Sequence, residues 1–135
     1  GGGVNVSASS VSVTSCTIDN NKAPDGAGIA SEGRTWTLDS SDVTNNDASA
    51  TGGGLYIDEG SLTITSSAIE GNTATAGGGM HLVSGEVTVT SSDWGTAADS
   101  NDNDPDDIFA GESSTAYSGF GTGESFTCAF SGDCS

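Results

Sequence analysis

Gly77-Gly78-Gly79-Met80, with Gly52-Gly53-Gly54-Leu55, Gly26-Ala27-Gly28-Ile29 and Gly1-Gly2-Gly3-Val4 before it, is one motif written four times, its starts 25, 26 and 25 residues apart. Self-similarity at a fixed period in this range marks a solenoid, in which each repeat buries its apolar face only by stacking on its neighbours. No other pattern in the chain orders so many residues at once.

Superposing the copies aligns Val4, Ile29, Leu55 and Met80; Val11, Trp36, Leu62 and Val87; Val13, Leu38, Ile64 and Val89; and Ile18, Val43, Ile69 and Trp94. Every column is apolar. Leu62/Ile64 and Val87/Val89 alternate with Thr, the period of a short strand with one face inward. A second alternation follows each glycine motif, as in Leu55-Tyr56-Ile57, and a third segment starts at Ile18, Val43 or Ile69. Three short strands per repeat leave no room for βαβ crossovers. The predicted fold class is all-β: a right-handed parallel β-helix with rungs about 4.8 Å apart, its hand following from the usual hand of parallel connections. Four full coils are expected, over 1–25, 26–51, 52–76 and 77–97, then a partial fifth coil and a C-terminal cap over 98–135.

Asn21, Asn46 and Asn72 occupy one phase and predict a structural ladder of side-chain hydrogen bonds, with left-handed backbone tolerated there. The spacing of 26 places one extra residue in Ala48-Ser49-Ala50-Thr51. Cys16 shares the phase of Ser41, Ser67 and Ser92, which predicts a small buried side chain; the competing reading is an intermolecular bridge.

Ile69-Glu70-Gly71-Asn72-Thr73-Ala74 leading into Gly77-Gly78-Gly79-Met80 resembles the repeat of polymorphic membrane proteins and related secreted bacterial β-helix proteins. The resemblance covers residues 1 to about 97 and implies surface display, adhesion or a structural role; the family's membrane-anchoring barrel has no counterpart in these residues.

Composition alone suggests disorder, since Val, Ile, Leu and Phe fall below about a fifth of the chain and the net charge is −17. Periodicity overrides that reading, because the few large apolar residues share a phase. Nineteen acidic residues against Lys22 and Arg34 make nucleic acid and anionic membrane poor partners and cations good ones. There is no apolar run long enough to span a bilayer, no signal peptide and no initiator Met, so a mature or excised piece is expected. Cys128 and Cys134, close together in a Gly/Ser-rich tail, predict a disulfide stapling the cap, and with it an extracellular or cell-surface setting.

Asp102, Asp104 and Asp106 alternate and resemble the aspartate-rich loops of thrombospondin type 3 repeats, which implies a calcium site; Pro105 and the lack of a turn glycine depart from that pattern. No cofactor is otherwise required. Pectate lyases and polygalacturonases share the fold, but their chemistry would rest here on Arg34 or Lys22, and His81 reads as outward and alone. The Ser/Thr columns Thr14, Thr37, Thr63, Thr65, Thr88 and Thr90 resemble the ice-binding face of β-helical antifreeze proteins, with Asp39 interrupting them.

The functional expectation is a non-enzymatic secreted or surface-displayed structural or adhesin-like β-helix, whose partners are a glycan or host surface, upstream coils of a longer chain, or itself. Ice binding and polysaccharide binding or degradation are the alternatives. Self-stacking into a fibre would use an exposed first coil with column ends at Val4, Val11, Val13 and Ile18.

Overall fold

The structure, a computed structural model, describes residues 1–7, 10–96, 100–118 and 128–129. Its strands are β1 (Val4–Val6), β2 (Val11–Thr14), β3 (Thr17–Asp19), β4 (Lys22–Asp25), β5 (Ile29–Asp39), β6 (Asp42–Thr44), β7 (Asp47–Thr51), β8 (Leu55–Thr65), β9 (Ala68–Glu70), β10 (Met80–Thr90), β11 (Ile108–Ser118) and β12 (Cys128–Ala129). They build three parallel sheets that wrap one narrow core. The longest sheet runs β1-β5-β8-β10-β11-β12, with β2 also on β5; the second is β3-β6-β9 and the third β4-β7. Among the described residues no helix is long and apolar enough to cross a membrane.

The glycine motifs lie directly over one another, because Ile29 pairs with Leu55, Leu55 with Met80 and Met80 with Ile108. Their glycines are needed for close approach. A Cβ on Gly53 would sit 2.5 Å from the carbonyl oxygens of both Gly78 and Thr73, so no side chain fits where the coil pinches. What the alternation suggests as two strands per repeat is one 11-residue strand in β5, β8 and β10, bent rather than broken at Gly33, Gly60 and Gly85. The extra residue of the third sheet falls where expected: the register of β4 on β7 slips between Ala23 and Asp25.

The apolar columns are the core. Ile29, Leu55, Met80, Leu62, Val87, Leu38, Ile64, Val89, Val43 and Ile69 are fully buried, with Trp36 and Trp94 nearly so. The proposed stacking end is not the exposed apolar surface the sequence suggests. Val13 and Ile18 are 8% and 7% exposed, and Val4 and Val11 are half-buried. These side chains point into their own coil and are covered by the second one, and no large hydrophobic among the described residues is exposed.

Two polar ladders pin the corners. The Asn46 Nδ2–H donates to Asn72 Oδ1 at 3.0 Å and to the Ile18 carbonyl at 2.9 Å, while Asn72 Nδ2 donates to the Val43 carbonyl at 2.9 Å. Asn21 caps the ladder at one end and Asn103 continues it at the other, Asn72 donating to Asn103 Oδ1 at 3.0 Å. The left-handed backbone falls one residue earlier than the ladder, at Asn20, Asn45 and Gly71, since the ladder residues must aim inward from extended backbone. In the second ladder the Ser41 and Ser67 hydroxyls accept from the backbone N–H of Cys16 and Ser41. Cys16 corrects the expectation of burial: it is exposed at the end of the Ser41-Ser67-Ser92 ladder, and its thiol contacts the Thr14 carbonyl at 3.2 Å as the serine hydroxyls contact theirs.

Candidate functional site

On the longest sheet the residue after each buried aliphatic points outward. Parallel, in-register pairing stacks these residues as Asn5, Ala30, Tyr56, His81 and Phe109, one per rung. The rings of Tyr56 and His81 lie 5.7 Å apart and tilted by 35°, and those of His81 and Phe109 lie 5.0 Å apart and tilted by 38°. Such offset, tilted contacts are favoured over face-to-face stacking. His81 is therefore outward, as its alternation with Met80 and Leu82 requires, but not alone. Burial holds its pKa below the usual imidazole value, against the pull of Asp25, the Ala76 backbone and Asp58. Its Nδ1 is buried without a hydrogen-bond partner.

The ladder ends in a gap. Ala30 is too small to continue the aromatic column, and a cleft of about 250 Å³ opens over it, bordered by Gly1, Asn5, Pro24, Asp25, Glu32 and Tyr56. Asp25 is fixed by the corner of the next coil in sequence: its Oδ1 accepts from the Thr51 hydroxyl at 2.6 Å and the Thr51 N–H at 3.2 Å. Burial, and then the carboxylates of Asp58, Asp25 and Glu32, push the Tyr56 phenol above its ordinary pKa. An aromatic platform leading into a carboxylate-lined cleft can stack the C–H face of a ring and accept hydrogen bonds from its substituents.

The Ser/Thr array exists as two columns, Ser12-Thr37-Thr63-Thr88 and Thr14-Asp39-Thr65-Thr90. Its hydroxyls are partly satisfied by one another: Thr37 donates to Ser12 at 3.0 Å, and Ser12 and Thr14 are 3.1 Å apart. The acidic segment is not a separate loop. Asn103 is its ladder residue, Asp104 pairs with Thr73, and Asp107 carries the carbonyl that receives Met80 N–H, the role Gly79 plays for Leu55. Asp102 and Asp106 are half-buried and Asp104 exposed; burial and then Asp104 raise the Asp106 pKa. Among the described residues no three His, Cys, Asp or Glu side chains gather as metal ligands. The Cys128–Cys134 disulfide lies outside the described residues; Cys128 supplies backbone to β12. Both basic side chains have structural partners, Lys22 on Asp47 at 2.6 Å and Arg34 Nε on the Ser7 carbonyl at 3.0 Å.

Sequence reasoning misses Asn103 and Phe109. Asn103 stands 31 residues after Asn72 while Phe109 stands 28 after His81, so an insertion and then a shortening hide both from a fixed period. The signal that could have exposed the aromatic ladder is Tyr56 and His81, which are 25 apart and each follow an aliphatic column residue.

A family model described as a right-handed β-helix region matches residues 1–98. That family includes both enzymes and non-enzymes. No curated protein and no solved structure matches the chain.

Proposed function

Because the chain belongs to the right-handed β-helix family, we propose that it is a non-enzymatic, surface-displayed scaffold that binds a polysaccharide along the outer face of its longest sheet. The observation that carries this reading is the Tyr56–His81–Phe109 ladder running into the Ala30 cleft. Successive rungs line up the half-exposed rings of Tyr56, His81 and Phe109 over about 10 Å, and Asp25 and Glu32 beside Tyr56 offer acceptors to hydroxyls. A net charge of −17 disfavours uronate polymers, so the backbone sugar is uncharged or cationic. The repeat's resemblance to surface-displayed proteins and the Ser/Thr/Asn/Gly-rich composition support an extracellular setting.

The reading is non-enzymatic because Thr51 holds Asp25 Oδ1 in place, leaving Oδ2 as an acceptor for a ligand, and neither basic residue borders the cleft. Affinity electrophoresis through neutral β-glucan gels tests it: the protein is expected to be retarded, Tyr56→Ala to weaken retardation about tenfold, the loss of roughly 1.4 kcal/mol, and the recovered oligosaccharide to be intact. No retardation on any neutral or cationic glycan removes the reading, and shortened products replace it with an enzymatic one.

A further inference from the structure

The cleft over Ala30 has a narrower chemistry than a general sugar face requires. Its volume of about 250 Å³ lies just under the roughly 300–1,000 Å³ of pockets for drug-sized ligands, which is room for one ring of a polymer. Asp25 and Glu32 both border it, and Asp25 is held by Thr51 before any ligand arrives, so it need not be ordered on binding. Asp58 joins these two in the field around the Tyr56 phenol.

No Lys, Arg or His side chain lines the cleft, whose border also includes the backbone of Gly1; Lys22 is paired with Asp47 and Arg34 reaches back to Ser7. A divalent metal is a poor match, because no three acidic groups among the described residues converge on one point. An organic ammonium is a good match. It is larger than a metal ion, hydrogen-bonds to carboxylates that stand apart from one another, and is attracted to an aromatic face.

We infer that the Ala30 cleft is an ammonium subsite and that the polymer lying along the Tyr56–His81–Phe109 ladder is an amino-sugar polysaccharide with free amines. This rests on the polysaccharide reading of the ladder. The ring bearing the ammonium packs against Tyr56 with its nitrogen between Asp25 and Glu32, while neighbouring rings lie over His81 and Phe109.

Calorimetric titration of the chain with β-1,4-linked oligomers of glucose, N-acetylglucosamine and glucosamine, of one length and at mildly acidic pH, tests it. The glucosamine oligomer is expected to bind at least about tenfold more tightly than the other two. Glu32→Gln should abolish that preference while sparing affinity for the glucose oligomer. Glu86→Gln, an equal charge change at an exposed position outside the cleft, should leave the preference intact. Equal affinity for all three oligomers, or equal loss of preference in both variants, overturns the ammonium subsite and leaves the ladder reading standing. Failure of all three to bind overturns the ladder reading itself. A lysine homopolymer that binds more tightly and is not displaced by the glucosamine oligomer overturns the sugar as occupant.

Discussion

Asn72 is fully buried, and each end of its amide is committed. Its Oδ1 accepts from the Asn46 N–H and side chain, and its Nδ2 donates to the Val43 carbonyl and to Asn103. Truncation to Ala leaves the Asn46 N–H without its partner in a dry interior, where an unsatisfied backbone group costs about 1–3 kcal/mol, and removes a donor from Val43 as well. Asn21 sits at the end of the same ladder, half-exposed, and its loss leaves Asn46 Oδ1 still bonded to the Asn21 N–H. Urea unfolding is expected to show Asn72→Ala destabilised by about 3 kcal/mol and Asn21→Ala by less than about 1 kcal/mol. Equal losses would mean that the ladder stabilises through the chain's conformational preferences and not through buried hydrogen bonds.

At the scale of the strand, the long elements of the main sheet depend on how they bend. Gly60 turns β8 with φ of 90°, and a Cβ there would meet the Arg34 carbonyl oxygen of the coil below at 2.0 Å. Gly33 makes the same bend in β5 with φ of 63°, but a Cβ there would meet only the flexible end of Glu59, at 3.7 Å. Gly33→Ala thus carries only the left-handed backbone cost, about 1–2 kcal/mol, whereas Gly60→Ala also forces two coils apart and is expected to exceed about 3 kcal/mol. Thermal melts of the two variants check the order, and a Gly33→Ala as damaging as Gly60→Ala would contradict it. This contrast also shows what was readable from the sequence. The columns Leu62 and Ile64 announce their strand because periodicity in burial is a property of single residues at a fixed phase. Continuity of β8 through Gly60 is not, since a glycine between two alternating runs is written the same way whether it ends a strand or bends one. The aromatic ladder was half legible: Tyr56 and His81 keep the period, but the cleft exists because of what Ala30 lacks, and the insertion before Asn103 moves Phe109 out of phase.

For the molecule as a whole, stacking coils also stacks their charges. Parallel register sets Glu32 opposite Asp58 on the next rung, and only Lys22 and Arg34 offset the nineteen acidic residues of the chain. Glu70 registers the consequence: burial first, then the nearby Asp93 and Asp42, raise its pKa above 4.5 against the hydrogen bond from Asn101. A carboxyl that binds its proton more tightly in the fold than in the unfolded chain adds stability that is fully present below its unfolded pKa and is lost as pH rises through its folded value. Asp106 acts in the same sense. Asp47, lowered by its hydrogen bond and attraction to Lys22, and Asp19, lowered by Asn45 and Asn20, act in the opposite sense, but their contributions are lost only as pH falls below 3.8. The midpoint of thermal unfolding is therefore expected to rise as pH falls from neutrality toward 4.5, and to decline again below 3.8. Glu70→Gln should raise the midpoint at neutral pH and shrink the gain on acidification, because the amide oxygen can still accept from Asn101 while the repelled charge is gone. Salt should act in parallel, since shortening the Debye length from about 30 Å to about 3 Å between 0.01 and 1 M screens the exposed columns. Scanning calorimetry across both variables decides the matter: a midpoint that falls on mild acidification, or that salt leaves unmoved, would mean that the coil's charges are already too well hydrated to oppose its folding.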